Sequence, residues 1–186
     1  MRGHKAWLFG GLIGGAVVAI AMVLMASGAQ TPEEVAHAAV EAFRQDRFDA
    51  FRPYTPAGLS SSARLRLLCG DAPSPACRTR HQQVMARQPA EVARFEAAFA
   101  ESAARAKAAR FDWTQAVIDS VDTSGLTEHA NPGANGVQTS GRIRVHGRSG
   151  AGAGFVLELT GCARMAGQDW LCAIPRWLPA NESETE

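Results

Sequence analysis

From Ala6 to Ala29 the chain runs without a charge, as AWLFGGLIGGAVVAIAMVLMASGA. A spanning helix needs about 20 mostly apolar residues to cross a hydrocarbon core roughly 30 Å thick. The apolar part of a secretory signal is shorter, about 7–15 residues. The run therefore predicts a retained signal-anchor, although Ala26 and Gly28, or Ser27 and Ala29, supply the small residues that a cleavage site uses. Arg2 and Lys5 precede the run, while Glu33 and Glu34 follow it. Positive charge stays on the cytoplasmic side, so the N-terminus is expected in the cytoplasm and everything beyond residue 30 across the membrane. No cysteine directly follows the run, which argues against a lipid-modified N-terminus. Gly11, Gly15 and Ala19 form a small-residue stripe, an ordinary feature of spans.

Three parts result: a cytoplasmic tip and anchor over 1–29, an exported domain over 30–179, and an acidic tail over 180–186 expected to be disordered. Arginine far outnumbers lysine, with only Lys5 and Lys107 present, and alanine and glycine abound, as in GC-rich bacterial coding. The expected location is a bacterial inner membrane, crossed once, with the domain in the periplasm. A formal net charge of +1 gives no sign of a nucleic-acid binder. About 150 exported residues suit one domain with its own core.

Four cysteines lie beyond the anchor, where disulfides are permitted. Cys69 and Cys77 bracket CGDAPSPAC; Cys162 and Cys172 bracket CARMAGQDWLC. Neither pair is C-x-x-C, and no histidine stands nearby at zinc-ligand spacing. Two local staples are expected, with a four-cysteine metal site as the alternative. In a hairpin turning at Ala166–Gly167–Gln168, Cys162 opposes Cys172, Thr160 opposes Ile174 and Glu158 opposes Arg176. Opposed side chains share a face about 4.5–5.5 Å apart at Cβ, close to what a bridge needs. The cysteines, Thr160 and Glu158 are then expected on one face. Phe155, Leu157, Leu159, Leu171 and Trp177 are expected on the core side.

Thr31, Pro32 and Glu34 open a helix with a capping box. Val35, Ala39, Ala42 and Phe43 make its apolar face. Phe48, Phe51 and Tyr54 predict a short second helix, and residues 60–68 a third. Residues 78–110 read as helix broken at Gln88–Pro89, with a stripe of Val92, Phe95, Phe99, Ala103 and Ala106. The period then changes. FDWTQAVIDSVD reads as strand, TSGLTEHANPGANG as loop, and SGAGAG as a mobile hairpin connection. In VQTSGRIRVHGR the residues Val137, Thr139, Gly141, Ile143 and Val145 face one way. Arg142, Arg144, His146 and Arg148 face the other. Helices followed by an antiparallel meander imply an α+β domain with helices on one sheet face.

TPEEVAHAAVEAFRQDRFDAFRPYTPAG resembles the opening of bacterial envelope proteins with the nuclear transport factor two-like fold. WLCAIPRWL resembles their aromatic-rich last strand. The resemblance implies a cone closed by a curved antiparallel sheet, over most of 31–179. The fold includes ketosteroid isomerase-like enzymes, whose chemistry needs a carboxylate base in an apolar pocket and acidic donors to an oxyanion. Tyr54 is the only tyrosine, and Asp112, Asp119 and Asp122 lie near one strand, but no base–donor pair emerges. His37, His81 and His129 are scattered. No catalytic residue, metal or cofactor is expected.

The basic row Arg142, Arg144, His146 and Arg148 is the most distinctive polar feature, a candidate surface for an anionic partner. Its ordinary reading is a solvated sheet face paired with acids such as Glu158, which is expected opposite His146. There an exposed ion pair would contribute only roughly 0.2–1 kcal/mol. The leading expectation is a non-enzymatic envelope protein whose exported domain binds other proteins, as an accessory subunit of a membrane complex. The alternative is an exported small-molecule-binding or isomerase-like protein that uses the cone's interior. The anchor is tested by intact mass of the membrane-purified protein. A full-length mass is expected, and a mass beginning near Ala29 or Gln30 would refute retention.

Overall fold

In the computed structural model, the residues described are 31–131, 136–165 and 169–180. Helix α1, Pro32–Gln45, starts where its capping chemistry is complete. The Thr31 hydroxyl accepts from the Glu34 N–H at 3.3 Å, and the Glu34 carboxylate accepts from the Thr31 N–H at 3.3 Å. Both bonds satisfy donors that a helix N-terminus otherwise leaves unpaired. Asp46 ends the helix in a left-handed conformation, φ 51°. Val35, Ala39, Ala42 and Phe43 are buried as their spacing demands. A short helix α2, Phe48–Phe51, follows, with two single 3₁₀ turns at Arg52–Tyr54 and Pro56–Gly58. Helix α3 is Ser61–Cys69, capped by Ser60.

Helix α4 runs unbroken from Pro75 to Ala108, 34 residues, or about 51 Å at 1.5 Å per residue. The expected break at Gln88–Pro89 does not occur. Pro89 is exposed, so its ring meets solvent rather than a packed neighbour. The Gln88 side chain donates to the carbonyls of Ala57 and Leu59, both at 3.4 Å, and Phe95 and Phe99 seat the next turns in the core. Tertiary contacts on both sides outweigh one missing backbone bond. The helix also begins earlier than residue 78, because Ser74 caps it by accepting from the Cys77 N–H at 3.2 Å.

The sheet holds β1 (Val117–Asp122), β2 (Leu126–Asn131), β3 (Gly136–Arg148), β4 (Gly154–Met165) and β5 (Arg176–Pro179). Every pairing is antiparallel; β3 takes β1 and β2 along one edge and β4 on the other, and β5 pairs with β4. Within the expected loop 123–136, Leu126–Asn131 is thus strand. Only Thr123–Gly125 interrupts the edge, with the Leu126 N–H donating to the Thr123 carbonyl at 2.9 Å. Thr127, Glu128, His129 and Ala130 are all exposed, so no alternation marks β2 in the sequence. The expected strand before residue 117 is a turn. Asp112 accepts from the Thr114 N–H and hydroxyl there, at 2.9 and 2.7 Å. SGAGAG is a tight turn rather than a mobile connection, because Ser149 exchanges backbone bonds with Ala153 and Gly152 and its hydroxyl accepts from the Ala153 N–H.

The sheet is curved, and the bend has a visible origin. The β3–β4 register slips between Gly141 and Ile143. Gly141 has φ 146° and Gly161 has φ 57°. A Cβ on Gly141 would lie 2.0 Å from the Gly125 carbonyl oxygen. Gly141 of β3 therefore meets the turn at Gly125 on one side and the Gly161 bulge of β4 on the other, where bulges increase local twist. The concave face packs on α1 and α4 through rings of Phe43, Phe99, Phe111, Trp113, Phe155 and Trp177, with centroid separations of 4.6–5.2 Å for the nearer pairs. The result is an α+β domain with helices packed on a curved antiparallel sheet. Among the described residues no helix is long and apolar enough to cross a membrane; residues 6–29 and the tail 181–186 lie outside them.

Both disulfides are present, Cys69–Cys77 and Cys162–Cys172, with no free cysteine. That removes the four-cysteine metal alternative. The expected register also appears: Glu158 pairs with Arg176 and Leu157 with Trp177, and Ala163 bridges Leu171 in the same frame. The facing of the cysteines differs from expectation. Cys162 and Cys172 are fully buried in the core rather than on the Glu158 face, and Leu171 is only half-buried. The bulge at Gly161 turns Cys162 over, and the unladdered stretch before buried Pro175 turns Cys172 over with it. Matching slips on both strands cancel in register but not in facing.

Gly141→Ala is expected to destabilise the domain by at least about 2 kcal/mol, from an unfavourable φ and a backbone clash together. Gly152→Ala, at φ 82° with open space around its Cβ, carries only the conformational cost of about 1 kcal/mol. Urea denaturation of both variants checks the difference; equal losses would mean that the close approach is not what fixes the bend.

Candidate functional site

Arg142 and Arg144 lie on the face of β3 opposite buried Ile143 and Val145, as alternation requires. Glu158 shares that face on β4, directly opposite Arg144 on one side and Arg176 on the other. Its Oε2 accepts from Arg142 Nη1 at 3.2 Å and from Arg144 Nε at 3.4 Å. Its Oε1 accepts from Arg176 Nη2 at 3.1 Å. Three guanidiniums thus converge on one carboxylate whose side chain is only 5% exposed, while Arg142 and Arg176 remain 41% and 50% exposed.

This differs from the expected arrangement in two ways. His146 pairs with Val156 and Ser120, not with Glu158, which sits two residues along. Glu158 is buried rather than exposed, because the guanidiniums cover it. At the far end of the row Arg148 pairs with Asp119 at 3.1 Å. Asp122 accepts from the Ser124 N–H at 2.8 Å; its hydrogen bonds with Ser124, then the nearby charges of His146 and Arg144, hold its carboxyl below the ordinary range.

This cluster opens onto a cleft of about 530 Å³ between α4 and the β4–β5 end of the sheet, where Glu101, Arg105, Arg142, Glu158 and Arg176 stand beside Ser102 and Thr160. Ser102 is buried, and its hydroxyl accepts from the Trp177 N–H at 2.8 Å, tying the helix to the outer edge of β5. The sequence carries a trace of that contact. Ser102 stands three residues after Phe99 and four before Ala106, a polar residue within an apolar stripe. Arg105 and Thr160 had no comparable signal.

The other candidates do not come together as a catalytic set. Asp112 is exposed, and its hydrogen bonds with Thr114 lower its pKa. Tyr54 is raised by burial and then by the negative charges of Glu34 and Asp169. His37 and His129 are exposed, while His81 is buried with Nε2 3.0 Å from the Ser61 carbonyl. Among the described residues no group of three His, Cys, Asp or Glu side chains is placed to hold a metal. No protein-family model, curated protein or solved structure matches this chain.

Neutralising Glu158 leaves three guanidiniums around an amide. Because the arginines keep partial solvation, Glu158→Gln is expected to cost about 1–3 kcal/mol, more than the exposed pair that the sequence implies. Asp119→Asn, which breaks a surface pair, should cost no more than about 1 kcal/mol. Denaturant titration of the two variants, followed by tryptophan emission, checks the order. Equal losses would show that Glu158 is not the organising charge.

Proposed function

We propose that the chain is a non-enzymatic, single-span protein of a bacterial inner membrane, with its N-terminus in the cytoplasm and its domain in the periplasm. The domain, cone-shaped and of the nuclear transport factor two-like kind, binds a protein partner, and the chain serves as an accessory subunit of a membrane complex. The observation that carries this reading is the arginine cluster on Glu158. A buried carboxylate holds the guanidiniums in place before any partner arrives, which lowers the ordering cost of association. Arginine suits such a surface because its planar fork matches carboxylates bidentately. The packed rings between helices and sheet support an outer binding face over an interior ligand. The local disulfides suit an oxidising compartment.

One observation favours a second reading. The cleft beside the cluster has the volume of an ordinary ligand site, so a small carboxylate or phosphate compound is the competing occupant. Affinity purification of the tagged full chain in mild detergent, compared with an Arg142→Gln/Arg176→Gln variant, separates the two. Under the proposal, specific proteins co-purify at low salt and are lost from the variant and at high salt. Partners retained by the variant would refute the site. A thermal shift with small anions, abolished by the variant without any protein partner, would favour the second reading.

A further inference from the structure

Residues 60–94 are the basic pole of the molecule. They carry six arginines against Asp71 and Glu91, in a chain whose formal net charge is only +1. They form α3 and the first half of α4, an antiparallel pair closed at its end by Cys69–Cys77. No hydrophobic residue from 58 to 91 belongs to the hydrophobic core or to the partly buried hydrophobics packed against it. Polar contacts fasten the pair at its base. Arg64 donates to the Pro56 carbonyl and pairs with Glu91 at 2.9 Å, and Gln88 donates to Ala57 and Leu59. From Gln88 back to Pro75 the helix rises about 20 Å, so the pair is an arm built without core burial to justify it.

The end of the arm has a specific chemistry. Leu67 and Leu68 are 40% and 37% exposed; among the described residues only Val117 joins them as an exposed large hydrophobic. Exposed Arg66, Arg78 and Arg80 lie in the adjoining turns, with Arg66 paired to Asp71 at 3.5 Å. Two exposed leucines alone are ordinary. On an arm with no part in the core, at its stapled end and ringed by arginine, they match the pattern of an interfacial anchor. Such anchors bury apolar side chains at the headgroup boundary while basic groups meet lipid phosphates.

We propose that this arm is a membrane-contact element that sets Leu67 and Leu68 into the interface of an anionic bilayer, with Arg66, Arg78 and Arg80 on the lipid phosphates. The choice of a bilayer rests on the anchored reading. On that reading, a span ending at Ala29 leaves Thr31, the cap of α1, at most about 7 Å further along the chain, so the domain stays within reach of a bilayer surface.

The test reconstitutes the full chain carrying Leu68→Trp into nanodiscs containing brominated phosphatidylglycerol, with phosphatidylcholine discs as the comparison. The added tryptophan should be quenched in the anionic discs, beyond the background of the native tryptophans. Quenching should fall with Arg66→Gln, Arg78→Gln and Arg80→Gln, each weakening partition about fivefold, and in about 0.5 M salt. Absence of that added quenching in the Leu68→Trp chain, with its Cys69–Cys77 bridge intact by mass, would overturn the arm's role. Should the protein prove to be cleaved near residue 29, the anchor alone fails, and the released domain is sedimented with phosphatidylglycerol and phosphatidylcholine vesicles. Preference for the anionic vesicles that the three substitutions remove supports the arm; equal sedimentation with and without those arginines overturns it.

Discussion

Where Gly141 of β3 meets the turn at Gly125 and the Gly161 bulge of β4, the sheet stops being a plain antiparallel ladder and bends. The backbones approach there more closely than any side chain allows, and the Arg142 N–H donates to the Gly125 carbonyl at 3.2 Å across the gap. Much else depends on this line. It gives the concave face on which the Phe43, Phe99, Trp113 and Phe155 rings pack. It turns Cys162 toward the core, and it places Arg142 at the junction of the sheet's arginine cluster and the cleft under α4. An extra β-carbon at Gly141 would act on all of these together.

The second organising element is the charge on the outer face. Glu158 is buried by its own partners rather than by apolar packing. A lone ionised carboxylate in such a place would be costly; with three guanidinium donors it becomes the fixed point about which long side chains are arranged. Arginines that would otherwise sample many rotamers are restrained by it. The outer face therefore has a defined geometry at the cluster, beside the cleft that α4 borders.

What the sequence could reveal depended on whether a signal was local. The Thr31–Glu34 capping box, the apolar face of α1 and the pairing of neighbouring cysteines all involve residues within a few turns or one hairpin, and each is found in the structure. The Glu158–Arg176 register was legible for the same reason, since one disulfide sets the frame. Strand β2 was missed because an edge strand with both sides wet has no period to detect. The facing of Cys162 and the offset of His146 from Glu158 were missed because single-residue bulges flip or shift a strand without altering its alternating letters. Pro89 misled because helix propensity is local while the contacts of Gln88, Phe95 and Phe99 are not. The cleft joins residues from four separate segments, so on its helix side only Ser102 left a trace.

The two disulfides span 8 and 10 residues, and Cys77 precedes Cys162 by nearly all of α4 and three strands. Under the export proposed above, Cys69 and Cys77 meet an oxidant before Cys162 and Cys172 do, so the thiols arrive as two separate couples. The first can close while the second is still far behind, so a stretch of chain, and not only geometry, separates the right partner from the wrong one. Loop closure over so few residues takes about 10–100 ns, much faster than thiol oxidation, so each couple's partner is at hand whenever an oxidant arrives. Scrambled bridges are avoided by order of arrival, and the protein should reach its native thiol pairing without a step that undoes an earlier bond.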